Sequence, residues 1–198
     1  TLDNARMHLA KEWVLNLDIK DFFGTIPKEQ IVKILEEIPD LNVEESYQLA
    51  TLEDKLVQGS PSSPIISNCV GYRFIDKIIL DYIKGDGIIY TRYVDDLTFS
   101  TDKKITRAEV VFFQRQIQEI IRTQGFNLNT KKNNLKHRSQ RQMVTGILVN
   151  NLLPRAKKDL RKKVKAIGLK DQLTNSDLGI INYVKSINKL DDYNKEKK

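Results

Sequence analysis

The chain is poor in the residues that would cross-link it or anchor it. Cys69 is the single cysteine among 198 residues, so no internal disulfide is available. It falls in an apolar helical pattern and reads as a small buried hydrophobe of a reducing compartment, which points to the cytoplasm. One Cys and two His, without ligand spacing, exclude a zinc site. No apolar run approaches the roughly 20 residues of a membrane span, and Thr1–His8 lacks the apolar segment of a signal peptide. A membrane is therefore not an expected partner. The loop Gln58–Pro64 is rich in Gly, Ser and Pro but lacks the Lys-Ser/Thr ending of a Walker phosphate loop. Internal repeats, low-complexity tracts and a starting Met are missing too.

What the chain does have is charge, unevenly spread. The composition is 40% hydrophobic and 30% charged, that of a globular protein. Residues 1–130 carry 15 Lys/Arg against 20 Asp/Glu. Residues 131–165 carry 12 Lys/Arg, and Asp159 is their lone acid. A field that strong is more than a solvated face requires, and it favours a polyanionic partner, a nucleic acid first.

The pattern centres on Ile88–Ser100. Two β-rich runs flank Asp95-Asp96, which reads as a hairpin with the acidic pair at its turn. Asp-Asp lacks the glycine that such a turn favours, so backbone strain is expected there, and strain gathers at functional sites. Two adjacent carboxylates repel until a divalent cation lies between them. The alternative is a solvated acidic turn. Phosphoryl transfer with two metals needs carboxylates from separate elements around ions about 4 Å apart. Asp18, near the end of a strand over Glu12–Ile19, can supply the third carboxylate if the strands are neighbours.

Around these, Phe22-Phe23-Gly24 reads as a turn, and helices are predicted from Pro27 to Ile38 and from the Asn42 cap to about Leu52. A long helix over Ser62–Lys84, apolar on more than one side, should be deeply buried. Thr106-Arg107-Ala108-Glu109 is a capping box for a helix to about Gln124, and Gly125 stops it. Phe126–Asn129 reads as a short strand. Leu135–Lys136 and Met143–Leu153 read as a closing hairpin with Gly146 inside it. Leu160, Val164 and Ile167 share one face of a basic helix that follows Pro154, and a last helix over Asp177–Leu190 precedes a polar, frayed tail. Strands and helices interleave around an antiparallel hairpin, so the expected class is α+β, an antiparallel sheet with helices packed on one face.

Three segments then carry a resemblance. Leu17-Asp18-Ile19-Lys20-Asp21-Phe22-Phe23, Gln58-Gly59-Ser60-Pro61-Ser62-Ser63-Pro64 and Tyr93-Val94-Asp95-Asp96 resemble, in this order, the motifs of reverse transcriptases. Gly125-Phe126-Asn127-Leu128, with Lys132 following, is a fourth match. Asn4-Ala5-Arg6-Met7-His8 and Val144-Thr145-Gly146 resemble signatures of the retron branch, although Val94 stands where Ala is frequent. The resemblance covers about residues 1–165. It implies a polymerase palm over 1–153 and a partial helical thumb over 154–198. The activity implied is RNA-directed DNA synthesis, a two-magnesium transfer of nucleotides from dNTP to a primer 3′-hydroxyl, with manganese as an alternative ion.

By the same resemblance Asp18, Asp95 and Asp96 would hold the metal ions, with the Ile19 carbonyl as a further ligand. Asp21 would lie under the triphosphate, and Phe23 would select deoxyribose. Gln58 and Gly59 would line the nucleotide and template pocket, Lys132 would protonate pyrophosphate, and residues 143–150 would grip the primer. From the charge pattern rather than the resemblance, Lys158, Arg161 and Lys162 would hold the nucleic-acid backbone. Expected partners are an RNA template, a DNA or RNA primer, a cognate structured RNA and an effector protein of phage defence. Simpler roles stand beside these: Phe23 as core, Asp21 as a helix cap, Lys132 as a solvated lysine beside Lys131, Asn4 and His8 as braces of a helix. With 17 residues before Asp18, the fingers region of such enzymes is expected to be missing, which predicts a piece of a longer chain with weak activity by itself. A non-catalytic RNA-binding palm and a template-independent defence polymerase are the competing readings.

Overall fold

The computed structural model of the chain describes residues 2–169 and 172–188. The end of the last helix at Leu190 and the polar tail, both expected from the sequence, lie outside the described residues. In chain order the elements are α1 (Leu2–Met7), β1 (Trp13–Asp18), α2 (Phe22–Thr25), α3 (Lys28–Leu35), α4 (Val43–Ala50), β2 (Thr51–Leu52) and β3 (Lys55–Leu56). Then come α5 (Ser63–Gly71), a π-helical turn (Tyr72–Asp76), α6 (Lys77–Tyr82), β4 (Ile89–Tyr93), β5 (Asp96–Thr101) and α7 (Arg107–Thr123). A 3-10 turn (Thr130–Lys132), β6 (Asn134–His137), β7 (Met143–Val144), β8 (Ile147–Leu148), α8 (Lys158–Ile167) and α9 (Asn175–Asn188) complete it.

The main sheet has the order β4-β5-β1-β6. Bonds across β1 and β5 run antiparallel: Ile19 N–H donates to Asp95 C=O at 2.9 Å, and Thr98 Oγ1 donates to Asn16 Oδ1 at 3.1 Å. The class is α+β, as the alternation of strand and helix patterns predicts. The end of β1 therefore lies beside the start of β5, which is what the acidic residues need.

The chain divides into two compact units. One takes in residues 16–98 and 103–134. Its interior is Leu17, Ile19, Phe22, Ile75, Ile79, Ile117, Ile121 and Phe126, all buried. Phe126 packs on Phe22 at 5.4 Å between ring centroids; truncating so buried a ring costs about 3–5 kcal/mol. The other unit takes in residues up to Leu15, Phe99–Asp102 and the described residues from Leu135 on. Ala5, Val14, Val144, Ile147, Val149, Ala156, Val184 and Ile187 form its core. Gln142 is fully buried there, and its Nε2 donates to the carbonyls of Lys11, Glu12 and Lys136.

Local chemistry explains most elements. Asn42 caps α4 by accepting from Glu45 N–H at 3.2 Å, and Thr106 with Glu109 forms the full capping box of α7. Gly125 takes φ +89°, the left-handed stop that ends a helix.

Several expectations need correction. Residues 22–25 make a short helical turn rather than an open one. The second predicted helix stops at Ala50, because Glu53 and Asp54 both adopt positive φ and turn the chain into the β2–β3 hairpin. The helix over 62–84 is interrupted by the π turn and is not buried all round. Ile65 is 69% exposed, Tyr72 and Leu80 are exposed too, and so is Cys69. Apolar residues on several faces thus do not mean a helix enclosed on all of them. Residues 126–129 supply one bridge, Ile19 to Leu128, instead of a strand. Leu135–Lys136 belongs to β6 of the main sheet. The closing hairpin is β7–β8 alone, turning at Thr145 (φ +44°) and Gly146 (φ +85°).

Candidate active site

Asp18 is the last residue of β1, and Asp96 is the first of β5. The turn between β4 and β5 is therefore Val94-Asp95, one residue earlier than the sequence suggests. Its positive φ falls on Val94, at +58°, and on neither aspartate. A β-branched residue is strained there, at a cost of about 1–3 kcal/mol. The expected strain is present at this turn, but a different residue carries it.

Asp18, Asp95 and Asp96 each offer a carboxylate oxygen, and these atoms lie within 4.8 Å of one another. Asp18 is buried, Asp95 half-buried and Asp96 exposed. Desolvation, then the negative charges of Asp95 and Asp18, push the Asp96 carboxyl above its ordinary range, while Lys132 opposes them. On an exposed residue the like-charge repulsion is the part that matters here, since a bound cation reverses it. Three converging oxygen donors with such repulsion fit a hard divalent cation.

Lys132 is the positive charge that faces the triad. Asn129 N–H donates to Asp18 C=O at 2.7 Å and Lys132 N–H to Asn129 C=O at 3.0 Å. This hangs the 3-10 turn on the end of β1. The Lys132 ammonium then donates to Asp18 Oδ2 at 2.8 Å. That bond, and the Asp18 charge behind it, raises the lysine above its ordinary range. Lys132 is thus paired with Asp18 while its side chain stays largely exposed.

Ile19 is buried, N–H bonded to Asp95 C=O, and bridged to Leu128. Asp21 is exposed at φ +47°, at the start of α2, yet its side chain makes no capping bond. A Cβ on Gly24 would come within 2.6 Å of Asp21 Oδ2, so the glycine makes room for that carboxylate. Phe23 is half-buried and meets Phe22 edge-on at 6.1 Å. Gln58 and Gly59 are exposed in the loop before α5, with Gly59 at φ +94°. All of these belong to the same unit as the triad. Residues 143–150 form the β7–β8 hairpin and its exit in the other unit, where Lys158, Arg161 and Lys162 also lie, on α8. Asn4 lies on α1. His8, just past α1, is fully buried with Nδ1 at 2.7 Å from Ser100 Oγ on β5.

Two residues that sequence reasoning missed support the hairpin. Arg92 on β4 makes a bidentate pair with Asp76, Nε to Oδ1 at 2.8 Å and Nη2 to Oδ2 at 2.9 Å. Their side chains are 4% and 13% exposed, so this pair is sheltered from water. A lone Arg-Tyr before an acidic pair gives no signal of a partner on a helix sixteen residues away.

The family model for reverse transcriptase (RNA-dependent DNA polymerase) matches residues 2–170. The chain belongs to the reverse transcriptase family. Among its curated relatives are retron enzymes. It is 30% identical over 153 residues to the retron Ec86 reverse transcriptase of Escherichia coli, covering 75% of this chain and 46% of the relative. It is 31% identical over 213 residues to the retron Mx65 reverse transcriptase of Myxococcus xanthus, covering 93% and 48%. The chain thus spans about half the length of these relatives. The resemblance to the retron type read from the motifs stands. Among solved structures, the foamy viral protease-reverse transcriptase in complex with RNA/DNA hybrid superposes with a TM-score of 0.57 at 20% identity, over 92% of this chain and 22% of that one. At that identity the likeness shows the fold, a polymerase palm. No described helix of the chain is long and apolar enough to cross a membrane.

Proposed function

We propose that the chain is the catalytic palm, with part of the thumb, of a retron-type RNA-directed DNA polymerase. The observation that carries this is the convergence of Asp18, Asp95 and Asp96 within 4.8 Å, at the meeting of two strand ends. Asp18, Asp95 and Asp96, with the Ile19 carbonyl beside them, would hold magnesium, or manganese in its place. When bound, the two ions supply charge stabilisation for in-line nucleotidyl transfer. The protein's own part is positioning: the β1 end and the β4–β5 turn fix the carboxylates before substrate arrives. Lys132, bonded to Asp18 at the edge of the triad, would give a proton to the departing pyrophosphate. Asp21 and Phe23 follow Asp18 on the short α2, where the carboxylate would lie under the triphosphate and the ring would exclude a ribose 2′-hydroxyl. Gln58 and Gly59 would line the nucleotide and template pocket.

Residues 1–153 would be palm and 154–198 thumb, with the β7–β8 hairpin as primer grip. Lys158, Arg161 and Lys162 would hold phosphates of the RNA template and its DNA or RNA primer. Arg161 supports this: with Arg138 and Arg155 it lines a 680 Å³ cavity. A cognate structured RNA, an effector protein and a role in phage defence in the cytoplasm complete the reading.

The test is primer extension on an RNA template with dNTPs, in the full-length protein. Asp95→Asn should lower extension by about 10³-fold or more while the circular dichroism spectrum stays unchanged. Parental rates from a folded Asp95→Asn protein would sink the proposal. Extension without any template would favour the template-independent polymerase, and RNA binding without extension by the parent would favour the non-catalytic module.

A further inference from the structure

The strained turn that carries Asp95 has no glycine to hold its shape, and one buried cation reaches it. Arg92 Nη1 donates to the Val94 carbonyl at 3.2 Å. Its Nη2 donates to the Asn68 carbonyl and to Asn68 Oδ1, both at 3.1 Å, as well as to Asp76. Tyr90 Oη donates to Asp76 Oδ1 at 2.7 Å, so β4 grips the helix at two points. Gly71, where α5 gives way to the π turn, leaves the space: a Cβ there would stand 2.4 Å from the Arg92 guanidinium carbon. Asp76 closes the π turn. A π turn inserts a residue relative to an α-helix and frequently marks a functional site.

We propose that Arg92 is a positioning residue for catalysis: anchored on Asp76 and Asn68 in the space left by Gly71, it clamps the Val94 carbonyl and holds Asp95 in its metal-binding place. The clamp deepens the polymerase reading, and its effect on metal rests on that reading. Arg suits this task and Lys does not, because a planar fork can bond Asp76 twice and still reach two carbonyls. Without the clamp, Val94 is free to leave its positive φ, and Asp95 moves with it.

Two measurements separate the clamp from an ordinary buried ion pair. The first is hydrogen exchange at the amides of Val94, Asp95 and Asp96 in the metal-free chain. The second is Mn²⁺ affinity by electron paramagnetic resonance, with Asp95→Asn marking the site. Arg92→Lys should speed exchange at the turn and weaken Mn²⁺ binding by roughly 10–100-fold, the usual effect of losing a group that orients a ligand. Gly71→Ala, which displaces the guanidinium and keeps its charge, should act in the same direction if Arg92→Lys does not fold. Adding Val94→Gly to Arg92→Lys is the decisive variant. Glycine takes a positive φ without steric cost, so Mn²⁺ affinity should return to within a fewfold of the parent while the melting temperature stays low. If Arg92→Lys lowers the melting temperature and leaves turn exchange and Mn²⁺ affinity at parental values, the pair is only structural and the proposal is overturned. Mn²⁺ binding by the parent that Asp95→Asn does not reduce would overturn the metal reading instead, and turn exchange would then judge the clamp alone.

Discussion

The two compact units of this chain use charge in opposite ways. The unit of residues 16–98 and 103–134 has 15 Lys/Arg against 17 Asp/Glu, close to balance, but brings three carboxylates within 4.8 Å. The other, over its described residues, has 13 Lys/Arg against 5 Asp/Glu and gathers no such cluster. In the first, what matters is local geometry: a strained turn, a strand end and one lysine. In the second, on the proposed reading, it is the total field, since phosphate contacts need many cations and little precision. Net charge therefore marks the unit in which the nucleic-acid surface is proposed but says nothing of the carboxylate cluster, which a near-neutral unit carries.

The comparison predicts different sensitivities. Acid should strike the basic unit through His8. Burial, then the charge of Lys11, lowers His8 from 6.5 to about 4. The folded chain keeps this imidazole neutral while the unfolded chain protonates it below about 6.5. The stability it contributes is thus fully present above that value and is lost as pH falls from 6.5 toward 4. At most about 3 kcal/mol is involved. Melting temperatures across pH 7.5 to 4 should fall more steeply for the parent than for His8→Gln, which has no proton to gain. Equal slopes would show that the Ser100 contact adapts to the charged ring.

A salt titration sharpens the contrast. Replacing Lys158, Arg161 and Lys162 with alanine should flatten the log–log dependence of RNA–DNA duplex binding by roughly two to three units at most. Loss should be similar for different sequences, because phosphates carry no base information. The apolar face of Leu160, Val164 and Ile167 is untouched, so α8 should persist. Parallel lines in a filter-binding titration would place the nucleic acid elsewhere.

How much of this was legible depends on the range of the cause. Asp18 at a strand end, the Thr106–Glu109 capping box and the apolar stripe of α8 each follow from residues within a few positions. So does the existence of the β4–β5 hairpin. Its register does not: Asp95-Asp96 looks more turn-like than Val94-Asp95, and the contact to Val94 comes from Arg92, itself held by Asp76 on a helix sixteen positions away. The π turn is hidden for a related reason, because one inserted residue only blurs a 3.6-residue period. Cys69 is exposed against expectation because apolar residues on several faces of α5 do not say which face meets the core. In the hairpin at Thr145-Gly146, a β-branched residue takes positive φ beside the glycine, against local preference.

The smallest effect concerns the triad itself and asks whether Lys132, the cation bonded to Asp18, competes with metal. Lys132 donates to Asp18 Oδ2 at 2.8 Å with its side chain 61% exposed. A divalent ion that takes the same oxygen must displace this ammonium or share the oxygen with it, and the two cations repel. Lys132→Met keeps much of the side-chain bulk and removes the charge. Mn²⁺ affinity of the variant should therefore rise severalfold at low ionic strength. The gain should shrink as salt is added, because an exposed charge is screened within about 10 Å at 0.1 M. Under the proposed role of Lys132 as proton donor, extension should nonetheless fall, since the donor is lost with the competitor. Tighter metal with slower chemistry would separate the two roles of Lys132. Weaker Mn²⁺ binding in the variant would mean instead that the lysine's main part is to hold Asp18 in place.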